Sequence, residues 1–361
     1  MRQYFNYRRS NDEAFNSLVD ATLELARAKY EGKNISDYSE KNAMLIESMG
    51  RKMVEGTRYE SDFESEGMKV FERPMVRNNS LVRENFNAVI AQVTNAIVPE
   101  VVNDTFARFL SEVHQVGFGQ SAKFQIESNE LFKVNAKAEG VRKGIDQPIF
   151  DDEITLNARP CTIDAAIDWY PMIAKILDFG SFALRIAKSF SAYIFLKAIK
   201  GMTVATSEFG AAYSTNGVTP QLWGTLRERV SAANGGANVI AVGTAVALSS
   251  VSLQGNFQVE IGEEMNKVGY LDQYLGVPLV AVNNVLVPGT TNTTATLALD
   301  DKKIYMIPVA GTRPVKILFE GDEVSVAFNP DETSDKRYGI SIEMRIGVSA
   351  IVSSKYGTIN L

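Results

Sequence analysis

The sequence predicts an α+β fold, in which a helical N-terminal region is followed by mixed helix and strand and then by strands alone. Three observations predict it. Apolar residues recur at helical spacing through about the first hundred positions. The stretch between Asp168 and Gly201 carries a broad apolar face at the same spacing. Every second residue from Ile340 to Val352 is apolar, which is the period of a half-buried strand.

Residues 1–116 are predicted to form an N-terminal helical arm. Helices are predicted from Ser10 to Gly32, from Ser36 or Asp37 to Gly56, from Ser80 to Val98, and from Asn103 or Asp104 through Val113, near whose end His114 would lie. Residues 58–74 read as a polar connector. The apolar stripes of these helices are narrow, and such stripes must pack on something. The sequence favours an arm that packs on other chains over a small helical bundle.

Residues 117–160 are predicted to form an extended β-hairpin loop. Strand-like pieces are present at Phe132–Lys137 and Ile149–Asn157, joined by a charged linker, and a further strand is predicted at 122–126. Their faces carry few apolar side chains, and a two-stranded hairpin with little to bury is barely stable in water. The hairpin is therefore expected to lie on another surface.

A long helix is predicted next, with Asp168 as its N-cap, Pro171 in its first turn and Gly201 at its end. About 30 residues at 1.5 Å each would span about 45 Å. Gly180 and Ser181 mark the point where such a helix would kink or divide.

Residues 203–310 alternate between helix and strand. The predicted elements are a helix opened by Thr219-Pro220 and closed by Asn234-Gly235-Gly236, a strand in NVIAVG, a short helix capped by Thr244, a helix in EEMNKV, and strands in PLVAV and KIYMIPV. The strands VKILFE and VSVAF follow, ahead of the alternating run.

The composition excludes several classes of function. With one cysteine (Cys161) and one histidine (His114), no disulfide framework, catalytic triad, HExxH or CxxC arrangement can be built from its usual parts. No catalytic residue, metal ligand set or cofactor is predicted. The net charge of −6 argues against tight nucleic-acid binding as the main role. No segment has the apolar length of a membrane span, and the start lacks the apolar run of a secretory signal.

Three acidic clusters are the remaining candidates for chemistry: Asp151, Asp152 and Glu153; Glu263 and Glu264; and Asp331, Glu332 and Asp335. On a strand, Asp151 and Glu153 would share one face, but a salt-bridged or solvated edge accounts for them better than a cation site. An α/β hydrolytic enzyme that uses these clusters is the alternative from another class.

The order of the parts resembles the major capsid protein of tailed bacteriophages, the Hong Kong 97-type shell protein, whose fold encapsulins share. The extended loop of that fold is resembled by the stretch GQSAKFQIESNELFKVNAKAEGVRKGIDQPIFDDEITLNARP of this sequence. The spine helix of that fold is resembled by the stretch DWYPMIAKILDFGSFALRIAKSFSAYIFLKAIKG. The axial core is similar to NVIAVGTAVALSSV, YLGVPLVAVNNVLVP and KIYMIPVAGTRPVKILFEGDE, and the closing peripheral strand to YGISIEMRIGVSAIVSSKYGTI.

This resemblance implies a domain organisation and a function. The domains would be a helical arm over 1–116, an extended loop over 117–160, a peripheral domain over 161–202 and 311–361, and an axial domain over 203–310. Copies would assemble as pentamers and hexamers into an icosahedral shell around a double-stranded DNA genome, in the virion, after assembly in the bacterial cytoplasm. The chain itself is then the main partner, with scaffolding, portal and decoration proteins as further candidates and weak contact with packaged DNA.

The candidate site is a set of subunit contacts in the extended loop. Lys137, Arg142 and Lys143 are expected to meet acidic groups of a neighbouring subunit, and Asp151 and Asp152 are the further contact residues. The alternative within the same fold is an encapsulin-type bacterial compartment, which the long N-terminal helical region disfavours.

Overall fold

The structure of the protein is a computed structural model, and it describes residues 13–31, 38–102, 111–126, 134, 152–252, 270–289, 295–309, 313–328, 337–351 and 355–361. The helices are α1 (Glu13–Tyr30), α2 (Tyr38–Val54), α3 (Glu60–Glu66), α4 (Pro74–Arg77), α5 (Ser80–Val102), α6 (Trp169–Ile173), α7 (Phe179–Glu208), α8 (Pro220–Ala233) and α9 (Ala245–Ser252). The strands are β1 (Ser111–Val116), β2 (Ala122–Ile126), β3 (Asp152–Leu156), β4 (Arg159–Asp168), β5 (Ser214–Asn216), β6 (Val239–Gly243), β7 (Gln273–Tyr274), β8 (Val277–Ala281), β9 (Lys303–Pro308), β10 (Val315–Phe328), β11 (Arg337–Ala350) and β12 (Gly357–Asn360).

The N-terminal helices pack on their own chain. α1, α2 and α5 share one hydrophobic core with α7, which we call the spine helix, and α5 also lies against β10. The idea that their apolar stripes lack a partner within the chain is therefore wrong. The prediction that residues 58–74 form a polar connector is also wrong, because Phe63, Val70 and Phe71 of this stretch are buried in the same core. α5 continues through Pro99, which removes one hydrogen bond near the helix end without terminating it.

The spine helix has 30 residues, but it starts at Phe179 rather than directly after Asp168 and ends at Glu208 rather than at Gly201. Asp178 is its N-cap, and the side chain of Asp178 accepts a hydrogen bond from the backbone N–H of Ser181 at 2.9 Å. Asp168 is the last residue of β4 and the N-cap position of the short helix α6, and Pro171 lies in the first turn of α6 as predicted. The predicted helix is therefore divided between Ile173 and Phe179, just before the predicted point of division at Gly180 and Ser181. Gly201 lies inside the helix because β11 passes close by: an added Cβ would lie 3.2 Å from the Cβ of Ala350.

Among the described residues, the first sheet has four strands in the order β1-β10-β11-β4, with β1 parallel to β10 and the other pairs antiparallel. The predicted helix through Val113 is therefore wrong, and His114 lies on a strand rather than near a helix end. Pairing with β10 favours the strand, since Val113 lies opposite Ile317. The rest of that predicted helix lies outside the described residues. A bulge interrupts the β10–β11 pairing between Glu320 and Ser325.

The second sheet, over the part of the chain that the structure describes, has six strands in the order β5-β12-β9-β6-β8-β7 and carries α8 and α9. Its core is a separate cluster around Trp223, Leu226 and Val230 of α8. The two predicted N-caps are confirmed: Thr219 Oγ1 accepts from the N–H of Leu222 at 3.2 Å, and Thr244 Oγ1 from that of Ala247 at 3.1 Å. The predicted EEMNKV helix lies outside the described residues.

A two-stranded sheet joins β2 to β3 in antiparallel register, with Phe124 opposite Ile154. The strand predicted at 149–157 is thus confirmed over 152–156. Its described partner is β2 rather than the Phe132–Lys137 piece, of which only Val134 is among the described residues. These two strands form the root of the predicted extended loop.

Candidate assembly surfaces

The root of the loop is docked on β10 through one small apolar cluster. Ala122 and Phe124 of β2 are buried against Leu318 of β10, which is itself fully buried. β10 is therefore covered on both faces, because its alternate residues Val315, Ile317 and Phe319 lie in the main core. This packing gives the β2–β3 sheet the surface that its own two strands could not supply.

Two charged residues of β10 share the face that meets the loop root. Lys316 and Glu320 lie two positions on either side of Leu318 and are buried, with 3% and 9% of their surface exposed. Charges this deeply buried have to be paired. Each of them has a partner on a neighbouring element.

Lys316 is paired with Glu112 of β1, which also binds the single histidine. The ammonium of Lys316 contacts one carboxylate oxygen of Glu112, and His114 Nε2 lies 2.6 Å from the other. The ring of Phe124 completes the group, with His114 edge-on at 4.7 Å and the Lys316 ammonium 5.4 Å from the ring centroid. Burial raises the pKa of Glu112, but the hydrogen bonds from Lys316 and His114 outweigh it and hold this pKa below its ordinary value of 4.5.

Replacing Glu112 with Gln is expected to lower the free energy of unfolding by about 1–2 kcal/mol at pH 7, because a charged hydrogen bond to Lys316 is lost. The pKa of the carboxyl is lower in the folded than in the unfolded chain, so its stabilisation is complete above the ordinary value and is lost as the pH falls through the folded value. The difference from wild type should therefore shrink below about pH 4.5. Urea unfolding of wild type and of Glu112→Gln at several pH values measures this difference. A difference independent of pH would contradict the assignment.

Glu320 organises the second group, the Glu320 cluster, which consists of Glu320, Gly119, Phe118 and Arg345. Glu320 Oε1 accepts from the backbone N–H of Gly119 at 2.8 Å, and Arg345 Nη1 of β11 lies 3.2 Å from the same oxygen. The Arg345 guanidinium lies 4.8 Å from the ring centroid of Phe118. This cluster fixes the turn through which the chain enters the loop from β1.

A third polar group ties α1 and α2 to the start of the spine helix. Asp178 Oδ1 accepts from the Tyr38 hydroxyl at 2.6 Å, and Oδ2 accepts from the Ser181 hydroxyl at 2.9 Å and contacts the Lys29 ammonium. Burial raises the pKa of Tyr38 above its ordinary value of 10. Asn42 of α2 donates to the carbonyl of Leu177 at 2.8 Å.

Large apolar side chains also lie exposed at positions that neither core covers. Those more than half exposed in the described residues are Met44, Met75, Phe118, Val134, Tyr170, Ile176, Val204, Val246 and Val309. Single exposed apolar residues are ordinary on a monomer. On a protein that associates with copies of itself, they are the surface that an interface would cover.

Almost all of the predicted contact residues lie outside the part of the chain that the structure describes. Lys137, Arg142, Lys143 and Asp151 lie outside the described residues, and Asp152 is the first residue of β3, opposite Ile126. Sequence reasoning missed Lys316 and Glu320, although a signal existed. Two charges at positions i and i+4 of an apolar strand, on the same side as Leu318, indicate a face that meets polar partners.

The described residues hold no group of three or more His, Cys, Asp or Glu side chains that would bind a metal ion. Cys161 is a free thiol, partly buried against the main core. In the part of the chain that the structure describes, no helix combines the length and apolar character needed to cross a bilayer.

Comparison with protein families identifies the class to which this fold belongs. A family model described as "SPbeta prophage-derived putative capsid protein YonB" matches residues 15–360. The match spans nearly the whole chain, so the chain belongs to this family of prophage-derived capsid proteins. The predicted phage capsid protein and its α+β class are confirmed.

Comparison with solved structures returns phage and phage-like shells. The capsid of the native GTA particle is 12% identical, with 71% of this chain and 89% of that chain covered and a TM-score of 0.49. The mature capsid of bacteriophage PhiM1 is 13% identical, with 72% and 87% covered and a TM-score of 0.44. The satellite phage P4 procapsid is 11% identical, with 78% and 97% covered and a TM-score of 0.45. No curated protein matches the sequence.

Proposed function

We propose that this chain is the major capsid protein of a phage particle and acts by assembly rather than by catalysis. Copies form pentamers and hexamers that close into an icosahedral shell around a double-stranded DNA genome. The observation that carries this proposal is the family match over residues 15–360. The family description names a prophage capsid protein, which favours a virion over an encapsulin-type compartment.

The extended loop is the proposed contact with the neighbouring subunit. Its root is fixed by Phe124 and by the Glu320 cluster, so the chain enters the proposed loop at a defined position. In this proposal Lys137, Arg142 and Lys143 meet acidic groups of the neighbour, and Asp151 and Asp152 provide contacts of opposite charge. An anchored root supports this role because an interface loop held in place loses less entropy on binding.

The domain boundaries and the remaining partners extend the same proposal. The proposed limits are 1–116 for the N-terminal helical region, 117–160 for the loop, 161–202 with 311–361 for the peripheral domain, and 203–310 for the axial domain. Two strands cross these limits, since β1 pairs with β10 and β12 pairs with β9. Scaffolding, portal and decoration proteins are the proposed accessory partners, packaged DNA makes weak non-specific contacts, and assembly takes place in the bacterial cytoplasm.

Purified full-length chain is expected to form hollow megadalton particles, or capsomers of five or six copies. Light scattering after gel filtration, followed by negative-stain imaging of the heaviest fraction, measures this. The nucleic acid or protein content of the particles separates a genome shell from a cargo compartment. A chain that stays monomeric at every salt concentration and every protein concentration would contradict self-assembly.

Reversing both charges at Arg142 and Lys143 to Glu is expected to weaken assembly, and more strongly at low than at high salt. Exposed charges attract over about 10 Å at 0.1 M salt and are screened above that concentration. Light scattering in a salt series measures the effect. Lys200→Glu, a charge reversal at an exposed lysine of the spine helix, is the matched control. An effect of the same size at all salt concentrations would place the contact elsewhere.

A further inference from the structure

The β7–β8 hairpin has a turn of unusual sequence. Its two central residues, Leu275 and Gly276, have φ angles of 47° and 77°, so both are in the left-handed region. Two-residue hairpins of this kind strongly favour Asn-Gly or Asp-Gly. Glycine adopts this conformation without cost, whereas the Cβ of a leucine is crowded there. Leu275 therefore keeps the turn under a strain that Asn would relieve.

Among the described residues, the other non-glycine with positive φ is Lys175, and its conformation has a local explanation. Lys175 follows α6, where the next N–H, that of Ile176, returns to the carbonyl of Pro171 at 2.8 Å. The Lys175 side chain also forms an ion pair with Glu47 of α2. Over the part of the chain that the structure describes, the Leu275 side chain belongs to none of the hydrophobic core clusters, and Leu275 has 49% of its surface exposed.

The strained turn is held firmly against α8. Arg227 Nη1 donates to the carbonyl oxygen of Leu275 at 3.2 Å. The ring of Tyr274, which precedes the turn, packs edge-on against Trp223 at 5.2 Å, and both rings are buried. These two contacts fix the backbone on either side of the leucine. The apolar side chain is thus presented in one orientation, which reduces the entropy lost on binding a partner.

The position of the turn restricts how a partner can bind it. β7 is the edge strand of the six-stranded sheet, and β5 forms the opposite edge. β7 has only two residues, which is too short to accept an added strand, so recognition here must use side chains.

We propose that Leu275 is an apolar contact by which this edge of the six-stranded sheet binds a second copy of the chain. The inference rests on the proposed self-assembly. In this proposal the β7 edge of one copy meets a different surface of the next copy. Such head-to-tail contacts close into rings when the rotation between copies closes, as the proposed capsomers require. Strain that persists at an exposed position is then explained, because the leucine stabilises the assembled form at the expense of the free subunit.

Leu275→Asn tests this proposal because its two expected effects have opposite signs. The dissociated variant should unfold at a higher urea concentration than wild type, since Asn adopts the left-handed conformation more readily. Its association should weaken about tenfold or more, as for loss of a central apolar contact. Urea unfolding of dilute protein and sedimentation velocity over a concentration series measure the two effects.

Two further variants make the result specific. Leu275→Met keeps the apolar bulk and should associate like wild type. Leu286→Asn replaces a leucine of similar exposure (42%) that lacks a positive φ, and it should not raise the urea midpoint. If wild type associates and Leu275→Asn associates equally well, this inference is wrong while self-assembly stands. If Leu275→Asn is less stable than wild type, the turn is not strained and the inference is again wrong. A wild-type chain that never associates overturns the proposed function and this inference together.

Discussion

A chain that begins at Gly56, without α1 and α2, is expected to lose its cooperative fold rather than remain a soluble subunit. Four side chains of α2, those of Ile46, Met49, Met53 and Val54, are almost completely buried in the core shared with the spine helix. Burying such a side chain contributes about 1.5–3 kcal/mol, so α2 alone accounts for about 6–12 kcal/mol. A typical domain has a total stability of about 5–15 kcal/mol.

The truncation also removes polar contacts at the start of the spine helix. Asp178 would lose the Tyr38 hydroxyl and the Lys29 ammonium, and the carbonyl of Leu177 would lose the amide of Asn42. Near-UV circular dichroism and urea unfolding measure the outcome. The expected result is loss of the near-UV signal and of a sharp transition.

The matched control is a chain that begins at Glu13, which keeps α1, α2 and all their described contacts. It should unfold as the full chain does. A chain lacking α1 and α2 that retained a wild-type transition would show that these helices are dispensable to the subunit. They would then be available to other chains, as the sequence alone favours.

The N-terminal helices show which features of the fold hydrophobic periodicity predicts and which it does not. The stripe through Leu45 and Met49 correctly predicts a buried face, because helical spacing reports on the helix itself. The partner of that face is the spine helix, which starts more than a hundred residues later in the sequence. No local sequence pattern identifies it as the partner. An unpartnered stripe in sequence is therefore compatible with packing on the same chain or on another one.

The ends of elements were set by tertiary contacts that the sequence does not display. Asp168 and Asp178 are both acceptable N-caps, but residues up to Asp168 are needed as β4, which pairs with β11. Gly201 looks like a helix end, yet it marks the close approach of Ala350. Conversely, the caps at Thr219 and Thr244 were predictable because capping depends on neighbours in sequence.

For the candidate site, the sequence correctly indicated that the loop strands need a surface, but not which one. β3 obtains it from β2 and from the buried face of β10. The charged residues on that face, Lys316 and Glu320, pair with residues 204 positions and 25 positions away in sequence. Pairing over such separations follows from the register of the sheet, which strand patterns alone leave undetermined.

Replacing Glu320 with Ala is expected to destabilise the subunit by about 2–3 kcal/mol and to loosen the root of the extended loop. The carboxylate is almost fully buried, and its removal leaves the N–H of Gly119 and the guanidinium of Arg345 without this acceptor. Losing one partner of a buried pair costs about 3–5 kcal/mol. The lower figure applies here because Arg345 keeps 35% of its side-chain surface exposed, and water replaces part of the interaction.

Urea unfolding measures the stability change, and amide hydrogen exchange at Gly119 measures the local one, which should be faster in Glu320→Ala. Lys123→Ala is the matched control in the same loop root, since the Lys123–Glu153 pair is exposed on both sides and should contribute less than about 1 kcal/mol.

A double variant, Glu320→Ala with Arg345→Ala, should lose less stability than the sum of the losses in the two single variants, because each single change already breaks the pair. Additive losses, or unchanged exchange at Gly119, would show that Glu320 does not anchor the loop. If the anchor acts as the geometry indicates, Glu320→Ala should also reduce assembly of copies that still fold, because the loop would leave the subunit from a less defined position.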